Sequence, residues 1–333
     1  MNPDENHNVH NSRIKNAIGR EPILFAKLKN VKSLANLLRA VHFKERATCI
    51  ISRRGLQFVV EDSRCVQARA YLQESMFQEY RFRGDQAETQ QEAAESKHGD
   101  EEEEDQLVIF GLHLTALIEC LNVFGSAGPL TGGSQVGQQG TQGNNLNLFN
   151  QPEPFGRMGA TACQIEYRGP GADLVVTLEE NGIVTLCKLT TQDAEAPLYF
   201  NFDSSSVLQK IIMKSEWLRD AFSELDASSE NITFLISPVA PFFKLSTFGI
   251  TGSAEMEYPK DTDVLESFNC NSVVKNSYKF SHIQHSLKAL SASIKTSIRT
   301  NERGFLSMQF MIPTADAKFS FVEFVCSPLV TDG

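Results

Sequence analysis

The sequence contains no uninterrupted run of about 18 apolar residues, and this absence predicts that no helix spans a membrane. The first eleven residues are polar and lack the apolar stretch of a secretory signal, so we expect no secretion. The seven cysteines include no Cys-x-x-Cys pair. That pattern is typical of reduced thiols in the core of an intracellular protein, and not of disulfides or zinc ligands.

Motifs for catalysis are also missing. The chain has no GxxxxGK[ST] or GxGxxG loop, no HExxH and no GxSxG. His282 and His285 form a His-x-x-His pair on a predicted helix, but no carboxylate or cysteine close in sequence completes a metal site. Asp173, Glu179 and Glu180 could act as the metal-binding carboxylates of a nuclease, although solvated turn residues explain them more simply. We therefore expect no catalytic residue, no metal ligand and no cofactor.

The acidity of the chain is confined to one segment. The formal net charge is −10, with 31 Lys and Arg against 41 Asp and Glu. Residues 84–106 hold ten acidic residues against a single lysine, a local net of −9, so the rest of the chain sits near −1. Because a run of like charges repels itself, this insertion is predicted to be disordered. The overall charge therefore does not exclude a nucleic-acid partner.

Two further segments are predicted to be disordered. Residues 1–20 are rich in Asn and show no periodic pattern. Residues 125–159 hold nine of the 21 glycines together with many Gln and Asn, which is typical of a flexible insertion. Without these three segments about 255 residues remain, a length that suits two domains of roughly 125 residues.

The ordered remainder repeats itself. Residues 23–38 and 207–222 both predict a short apolar strand that runs into an amphipathic helix. The segment Thr48-Cys-Ile-Ile-Ser52 then matches Thr233-Phe-Leu-Ile-Ser237, and the alternating run 66–71 matches 253–258. A second helix follows in each copy, at 113–124 and 281–293, and three more strands close each copy. Each half therefore predicts an α+β fold in which two helices pack on antiparallel sheet.

Basic side chains follow the polar faces of the predicted helices. Lys29, Lys32, Asn36 and Arg39 lie at spacings of three and four, which places them on one stripe of the first helix. The third helix offers Lys214 and Arg219 beside acidic residues, and the fourth offers Lys288. A solvated polar face is the ordinary explanation for any single helix. The same feature on equivalent helices of a repeat favours a shared surface that contacts phosphates without reading bases.

Several segments closely resemble a known family. They include Val41-His-Phe-Lys-Glu-Arg-Ala-Thr-Cys49, Phe243-Lys-Leu-Ser-Thr-Phe-Gly249 and Tyr258-Pro-Lys-Asp261, together with residues 30–34, 65–70, 77–79, 222–226, 297–300 and 303–307. In order and spacing they resemble the Rad-one subunits of the checkpoint sliding clamp, the nine-one-one complex. The resemblance runs from about residue 23 to residue 327, and the insertions at 84–106 and 125–159 depart from it.

The resemblance implies the DNA-clamp fold of proliferating cell nuclear antigen. It divides the chain into a tail (1–20), a first clamp domain (21–190), an interdomain connecting loop (191–203), a second clamp domain (204–328) and a C-terminal tail (329–333). Three subunits of such a clamp close a ring around duplex DNA, here with Rad-nine and Hus-one as partners. The sheets form the outer wall of the ring and the helices line its central hole.

The resemblance also assigns roles to individual residues. The side chains that it places toward the DNA are Lys29, Lys32, Arg39, Lys214, Arg219 and Lys288. It makes the strands 183–189 and 253–258 the edges that pair with neighbouring subunits, with Ile183, Thr185, Cys187, Ser253, Glu255 and Glu257 among their residues. In the connecting loop it suggests a docking site for clamp-binding peptides at Pro197, Leu198, Tyr199 and Phe200. The alternative is that these loop residues only cover the sheet beneath them.

Together these observations predict a nuclear, non-enzymatic subunit of a heterotrimeric clamp in the DNA-damage checkpoint and in repair. The clamp would be placed on double-stranded DNA, independently of sequence, by the Rad-seventeen form of the clamp loader. It would then serve as a platform on which repair enzymes dock transiently. The acidic insertion could contact the loader, although a solvating loop is the simpler explanation. A homotrimeric replication clamp and a metal-dependent 3'-5' exonuclease are the alternatives.

Overall fold

The computed structural model describes residues 21–84, 106–125, 160–194, 197–200, 202, 207–226, 228–250, 252–261, 263–314 and 318–330. The predicted tail 1–20 lies outside these residues, as do 85–105 of the acidic insertion and 126–159 of the second insertion. The described part of the chain contains no helix long and apolar enough to cross a membrane.

The described residues form two successive sets of nine strands. The first set is β1 (Leu24–Leu28), β2 (Arg46–Ser52), β3 (Gly55–Asp62), β4 (Val66–Gln73), β5 (Glu79–Phe82), β6 (Val108–His113), β7 (Ala162–Tyr167), β8 (Leu174–Glu180) and β9 (Ile183–Leu189). The second set is β10 (Val207–Lys214), β11 (Asn231–Ile236), β12 (Phe243–Gly249), β13 (Gly252–Tyr258), β14 (Leu265–Cys270), β15 (Val274–Lys279), β16 (Lys295–Asn301), β17 (Leu306–Pro313) and β18 (Phe319–Cys326). The α-helices are α1 (Lys32–Val41), α2 (Leu114–Leu121), α3 (Ser215–Glu224), α4 (Phe280–Gln284) and α5 (Leu287–Ala292).

The strands pair antiparallel in three sheets. Their orders are β5-β1-β7-β8-β9, β14-β10-β16-β17-β18-β4-β3-β2-β6 and β13-β12-β11-β15. If the nine-stranded sheet is divided between β18 and β4, each half of the chain has one five-stranded and one four-stranded sheet. Adding nine to every strand number of the first half then gives the order of the second half. The predicted repeat and the α+β fold class are therefore confirmed, and the β18–β4 pairing joins the two copies edge to edge.

The hydrophobic pattern explains these elements. On α1 the buried residues Leu34, Leu37, Leu38 and Val41 recur at helical spacing and pack on the sheet. At the start of the helix, the Asn30 side chain accepts a 2.8 Å hydrogen bond from the backbone N–H of Lys32. The strands alternate between buried and accessible residues, as on β8 and β16. A fully buried Leu, Ile or Phe contributes roughly 2 kcal/mol, so this one-sided burial fixes the face that each strand presents to the helices.

The helices differ from the sequence prediction in two places. Lys29 lies in the bend that follows β1 and not on α1, which begins three residues later. The predicted helix 281–293 is divided into α4 and α5. Its backbone is interrupted because Ser286 turns both its N–H (2.9 Å) and its hydroxyl (2.7 Å) to the Ile283 carbonyl oxygen.

One strand alignment and one cysteine prediction also need correction. Ala254, Met256 and Tyr258 on β13 face the core, as Ala68, Ala70 and Leu72 do on β4. Leu72 and not Tyr71 is therefore the counterpart of Tyr258, and the sequence alignment was wrong by one residue, which reverses the faces of the strand. Cys120 on α2 and Cys187 on β9 form a disulfide, whereas all seven cysteines were expected to be thiols.

Candidate functional site

Four helices form a continuous layer on the sheets. α1 contacts α2 on one side and α5 on the other, and α5 also contacts α3. The helices therefore lie in the order α2-α1-α5-α3, and the layer extends across the junction between the two halves of the chain. Below the layer, α1 packs on β3, β4 and β18, so the central helices lie directly over the joint between the copies.

The exposed cations of this layer lie on its two central helices. Lys32 on α1 and Lys288 on α5 are exposed, and Lys288 Nζ donates a 3.2 Å hydrogen bond to the His42 carbonyl oxygen at the end of α1. Arg39 is half-buried, donates from Nη1 to Asn36 Oδ1 at 3.2 Å, and has its pKa lowered by burial. The structure therefore brings the predicted residues Lys32, Arg39 and Lys288 onto adjoining helices.

The predicted cations of α3 sit in a more acidic setting. Arg219 is half-buried on a helix that also carries the exposed Glu216, Asp220 and Glu224. Lys214, at the end of β10, has its Nζ 4.0 Å from Glu216 Oε1. Since acidic side chains outnumber basic ones on α3, the positive charge of the layer is concentrated at the junction between the halves.

An open cleft of about 1150 Å³ lies at one end of this junction, where α1 ends beside α2 and the α4–α5 corner. Its lining includes His42, Lys44, Arg46 and Lys288, alongside three carboxylates. The sequence analysis missed Lys44 and Arg46 because it considered only helix stripes. Lys44 lies between α1 and β2 and Arg46 begins β2, and the tertiary structure brings both next to α5.

His285 is held between an aromatic ring and a carboxylate in this cleft. Its ring stacks on Phe43 with centroids 4.5 Å apart, and its Nε2 lies 3.9 Å from Asp62 Oδ2. Lys44 Nζ approaches the other oxygen of Asp62 at 3.1 Å. Burial lowers the pKa of His285, and the charge of Asp62 only partly opposes this. His285 therefore packs as a partly buried ring, and the described residues contain no group of three or more His, Cys, Asp or Glu that could hold a metal ion.

The three carboxylates considered for a nuclease lie at the two ends of one strand. Asp173 precedes β8, whereas Glu179 and Glu180 end it. Six residues of extended chain at about 3.3 Å each place Asp173 and Glu179 roughly 20 Å apart, too far to share one metal ion. Glu180 is buried and accepts a hydrogen bond from the Thr161 hydroxyl, whereas Glu179 points to the opposite, exposed face.

The strand β9 ends the first five-stranded sheet and pairs, among the described residues, with β8 alone. Its outward-facing residues are Val184, Leu186 and the exposed Lys188, and Val184 is 61% and Leu186 57% exposed. Ile183, at the start of the strand, is 62% exposed. Thr185 and Cys187 face inward and are half-buried. A strand edge with unpaired backbone groups and apolar outer side chains is suited to pairing with another strand.

The strand β13 ends the second four-stranded sheet and pairs, within the same described ranges, with β12 alone. Its outer residues Ser253, Glu255 and Glu257 are polar and exposed. Lys244 on β12 reaches both carboxylates, with its Nζ 2.7 Å from Glu255 Oε2 and 3.7 Å from Glu257 Oε1. The hydrogen bond to Glu255 raises the pKa of Lys244. The edges of β9 and β13 thus differ in chemistry, since β9 presents apolar side chains and one lysine, whereas β13 presents two carboxylates.

The connecting segment crosses the face of the nine-stranded sheet opposite the helices. The backbone of Leu198 donates to Glu61 Oε1 at 2.8 Å and accepts from Gln67 Nε2 at 2.9 Å. Phe200 is buried against the ring of Phe305, edge to face, with centroids 5.5 Å apart. Tyr199 is 72% exposed. The segment is therefore fixed by its backbone and by Phe200, and it presents Tyr199 to the surface.

Comparison with known proteins identifies one family. Residues 23–312 match the family model described as Repair protein Rad1/Rec1/Rad17. The chain is 40% identical over 305 residues to the cell cycle checkpoint protein RAD1 of Homo sapiens, which covers 92% of this chain and 91% of that protein. It is 32% identical over 301 residues to the DNA damage checkpoint control protein rad1 of Schizosaccharomyces pombe, with coverage of 90% and 84%.

A third relative has a different kind of name. The chain is 26% identical over 444 aligned positions to the DNA repair exonuclease REC1 of Mycosarcoma maydis, with coverage of 92% of this chain and 96% of that protein. The match to the family model begins just before β1 and ends within β17, so it spans both halves of the repeat. The resemblance inferred from the sequence is confirmed: the chain belongs to the Repair protein Rad1/Rec1/Rad17 family, whose fold is that of the DNA clamps.

Proposed function

We propose that this protein is one subunit of a heterotrimeric sliding clamp that encircles DNA at sites of damage. One observation carries the proposal. The two halves of the chain are joined through β18 and β4, while the equivalent strands β9 and β13 each have an edge that no other described strand pairs with. Two copies of the same half-unit joined in this way form an arc that another subunit extends at each end by repeating the same pairing.

The domain division follows the same repeat. We assign residues 21–190 to the first clamp domain, 191–203 to the connecting loop and 204–328 to the second clamp domain. Three such subunits give six similar domains in a ring, with the helix layer on the inside. The partners are Rad-nine and Hus-one, and the Rad-seventeen form of the clamp loader opens and closes the ring.

The helix layer supplies the contact with DNA. Lys32, Arg39 and Lys288 would face the phosphates from the two central helices, and Lys44 and Arg46 extend this basic region into the cleft. Because a closed ring is retained on DNA by topology, weak contacts through water are sufficient and leave the clamp free to slide. Binding would then be independent of DNA sequence, since phosphates carry no base identity.

The connecting loop would serve as a docking site for repair enzymes. Pro197 and Tyr199 lie at the surface of a segment whose backbone is held by Glu61 and Gln67. A fixed loop with an exposed aromatic ring suits a transient peptide contact, because Tyr contributes a large contact area at little entropic cost. Such a role places the protein in the nucleus, where checkpoint and repair complexes assemble on damaged DNA.

The solution mass tests the clamp assignment. A chain that is monomeric alone and forms a 1:1:1 complex with Rad-nine and Hus-one supports it. A homotrimer of this chain alone would instead support a replication-type clamp. A chain that stays monomeric and binds neither partner would contradict the clamp function.

The name of the REC1 relative makes an exonuclease the second candidate. We propose that the chain is not an enzyme, because the carboxylates considered for metal binding lie at opposite ends of β8. Purified protein should therefore leave 3'-end-labelled DNA intact in the presence of Mg²⁺ or Mn²⁺. Nuclease activity that follows the protein at constant specific activity through successive purification steps would overturn this proposal.

A further inference from the structure

The joint between the two halves gives the register in which the free edges pair. In the first half Thr48 pairs with Val59 and Val59 with Arg69. In the second half the matching residue Thr233 pairs with Ser246, and Ser246 with Glu255. Glu255 on β13 therefore occupies the position that Arg69 occupies on β4.

The same comparison of the two halves makes β9 the counterpart of β18. In the first half the core-facing residues Ile165, Val176 and Cys187 pair in succession across β7, β8 and β9. In the second half the matching residues Ile298, Met308 and Phe324 pair in succession across β16, β17 and β18. Cys187 is thus the counterpart of Phe324, and the preceding residue, Leu186, is the counterpart of Glu323.

The joint itself is electrostatically complementary at this position. Glu323 lies directly opposite Arg69 across the β18–β4 pairing. Glu323 is also hydrogen-bonded by Arg299 at 2.6 Å and by Ser307 at 2.7 Å. A carboxylate that another strand covers is stable because several donors surround it.

A second copy of this chain cannot reproduce that complementarity. If β9 of one copy paired with β13 of the next in the joint's register, Leu186 would lie opposite Glu255 and Val184 opposite Glu257. The incoming strand would place apolar side chains directly opposite both carboxylates. Its outward-facing cation, Lys188, would lie opposite Ser253, diagonal to Glu255 and farther from Glu257. Lys244 offsets only one of the two negative charges. Covering a carboxylate with an apolar side chain, and with no donor directly opposite it, is costly, so this pairing is less favourable than one with a facing cation.

We infer that the β13 edge selects a partner strand with a Lys or Arg opposite Glu255, and that it rejects a second copy of this chain. The inference rests on the proposed clamp function and specifies the chemistry of one of its two subunit contacts. The partner is a different polypeptide whose antiparallel edge strand carries a cation where β18 carries Glu323. The β9 edge, with Val184, Leu186 and Lys188 outward, then takes the other partner, so the two edges do not compete.

Charge reversal in the full-length chain tests this inference. The variant Glu255→Lys with Glu257→Lys should lose one of the two pairwise complexes with the partner subunits, with an affinity about tenfold or more below wild type, and keep the other complex. Glu74→Lys with Glu302→Lys is the matched control, because both residues are exposed and lie off β13. Reversing the facing cation of the partner should restore binding to the Glu255→Lys variant. Wild-type affinity of the reversed variant for both partners would overturn the inference.

A gain of self-association provides a second, independent test. Glu255→Leu with Glu257→Val removes the carboxylates that oppose β9, so the variant alone should form oligomers whose mass rises with concentration in sedimentation velocity. A variant that stays monomeric would contradict the argument that carboxylates block self-pairing. If wild-type protein binds neither partner, the clamp function fails, and the self-association experiment still decides the edge chemistry.

Discussion

Tyr71 on β4 donates a 3.1 Å hydrogen bond to Glu323 on β18, across the pairing that joins the two halves of the chain. Burial, and then the negative charge of Glu323, raise the pKa of Tyr71 to about 12, so the phenol remains a donor at any physiological pH. Arg299, on the same side of the joint, binds Glu323 at 2.6 Å. The joint is therefore held by a charged network as well as by backbone pairing.

Removing the carboxylate should weaken this joint strongly. Glu323→Ala leaves Arg299 largely buried without its anion, and we expect a loss of about 3 kcal/mol in the free energy of unfolding. Tyr71→Phe removes only one neutral donor and should cost about 1 kcal/mol. Urea denaturation followed by circular dichroism measures both variants. If both substitutions lowered the free energy of unfolding equally, Arg299 would not need Glu323 to compensate its charge.

The positions of the cations on the helix layer predict unequal effects on DNA binding. In the assembled ring, Lys32→Glu with Lys288→Glu should weaken binding to duplex DNA and lower the salt slope of the affinity by roughly one per lysine. Lys210→Glu with Lys275→Glu makes the same change of charge on the sheet faces away from the helices. Fluorescence anisotropy over a salt series compares them. The same slope for both variants would contradict a DNA-facing helix layer.

His285 predicts a dependence of stability on pH. Burial lowers the pKa of His285 below its ordinary value of 6.5, while Asp62 opposes the shift and His282, Lys44 and Lys288 assist it. The unfolded chain therefore binds the proton more readily, and stability should fall as the pH drops through 6.5. Between about pH 7.5 and about pH 5.5, the melting temperature of the His285→Gln variant should therefore fall by less than that of the wild type.

Differential scanning calorimetry measures the melting temperatures. Because each protein is compared with itself at two pH values, the stability that the variant loses with the stacking on Phe43 does not enter the comparison. Burial also lowers the pKa values of His42 and His282, so the variant should keep part of the pH dependence. Identical pH profiles for wild type and variant would show that His285 is not responsible.

The connecting segment should open locally when its anchor is removed. Glu61→Ala deletes the acceptor of the Leu198 N–H, and amide hydrogen exchange at 198–200 should accelerate about tenfold, the effect of one lost hydrogen bond. Exchange at β17, in the core, should not change. Glu79→Ala, on the exposed face of β5, is the control. Unaltered exchange at 198–200 would show that Glu61 does not hold the connecting segment.

Local sequence patterns were enough to predict much of the fold. Helical spacing of apolar residues gave α1 and α3, and alternation gave β7, β8 and the closing strands, because burial on one face leaves a period of 3.6 or 2 in the sequence. The patterns failed where a single residue altered the backbone or the register. Ser286 divides the predicted helix 281–293, and the run 253–258 was aligned one residue out of register.

The candidate site depended more on long-range pairing. Phe43, Asp62 and His285 meet in one cleft although they are far apart in the chain, and no local pattern links them. The cations Lys44 and Arg46 were missed for the same reason. By contrast, Lys32, Arg39 and Lys288 were found on the sequence because each lies on the polar side of an amphipathic helix.

By itself the sequence determined the repeated half-unit, its antiparallel strands and its core, because these follow from the order of apolar and polar residues along the chain. Only the tertiary structure decided which edges are joined and which are free. β4 and β13, like β18 and β9, are equivalent strands with the same inward and outward alternation. What distinguishes them is pairing between residues about 250 positions apart, such as Tyr71 and Phe321. Such pairing depends on how the two halves pack and not on any pattern within either half.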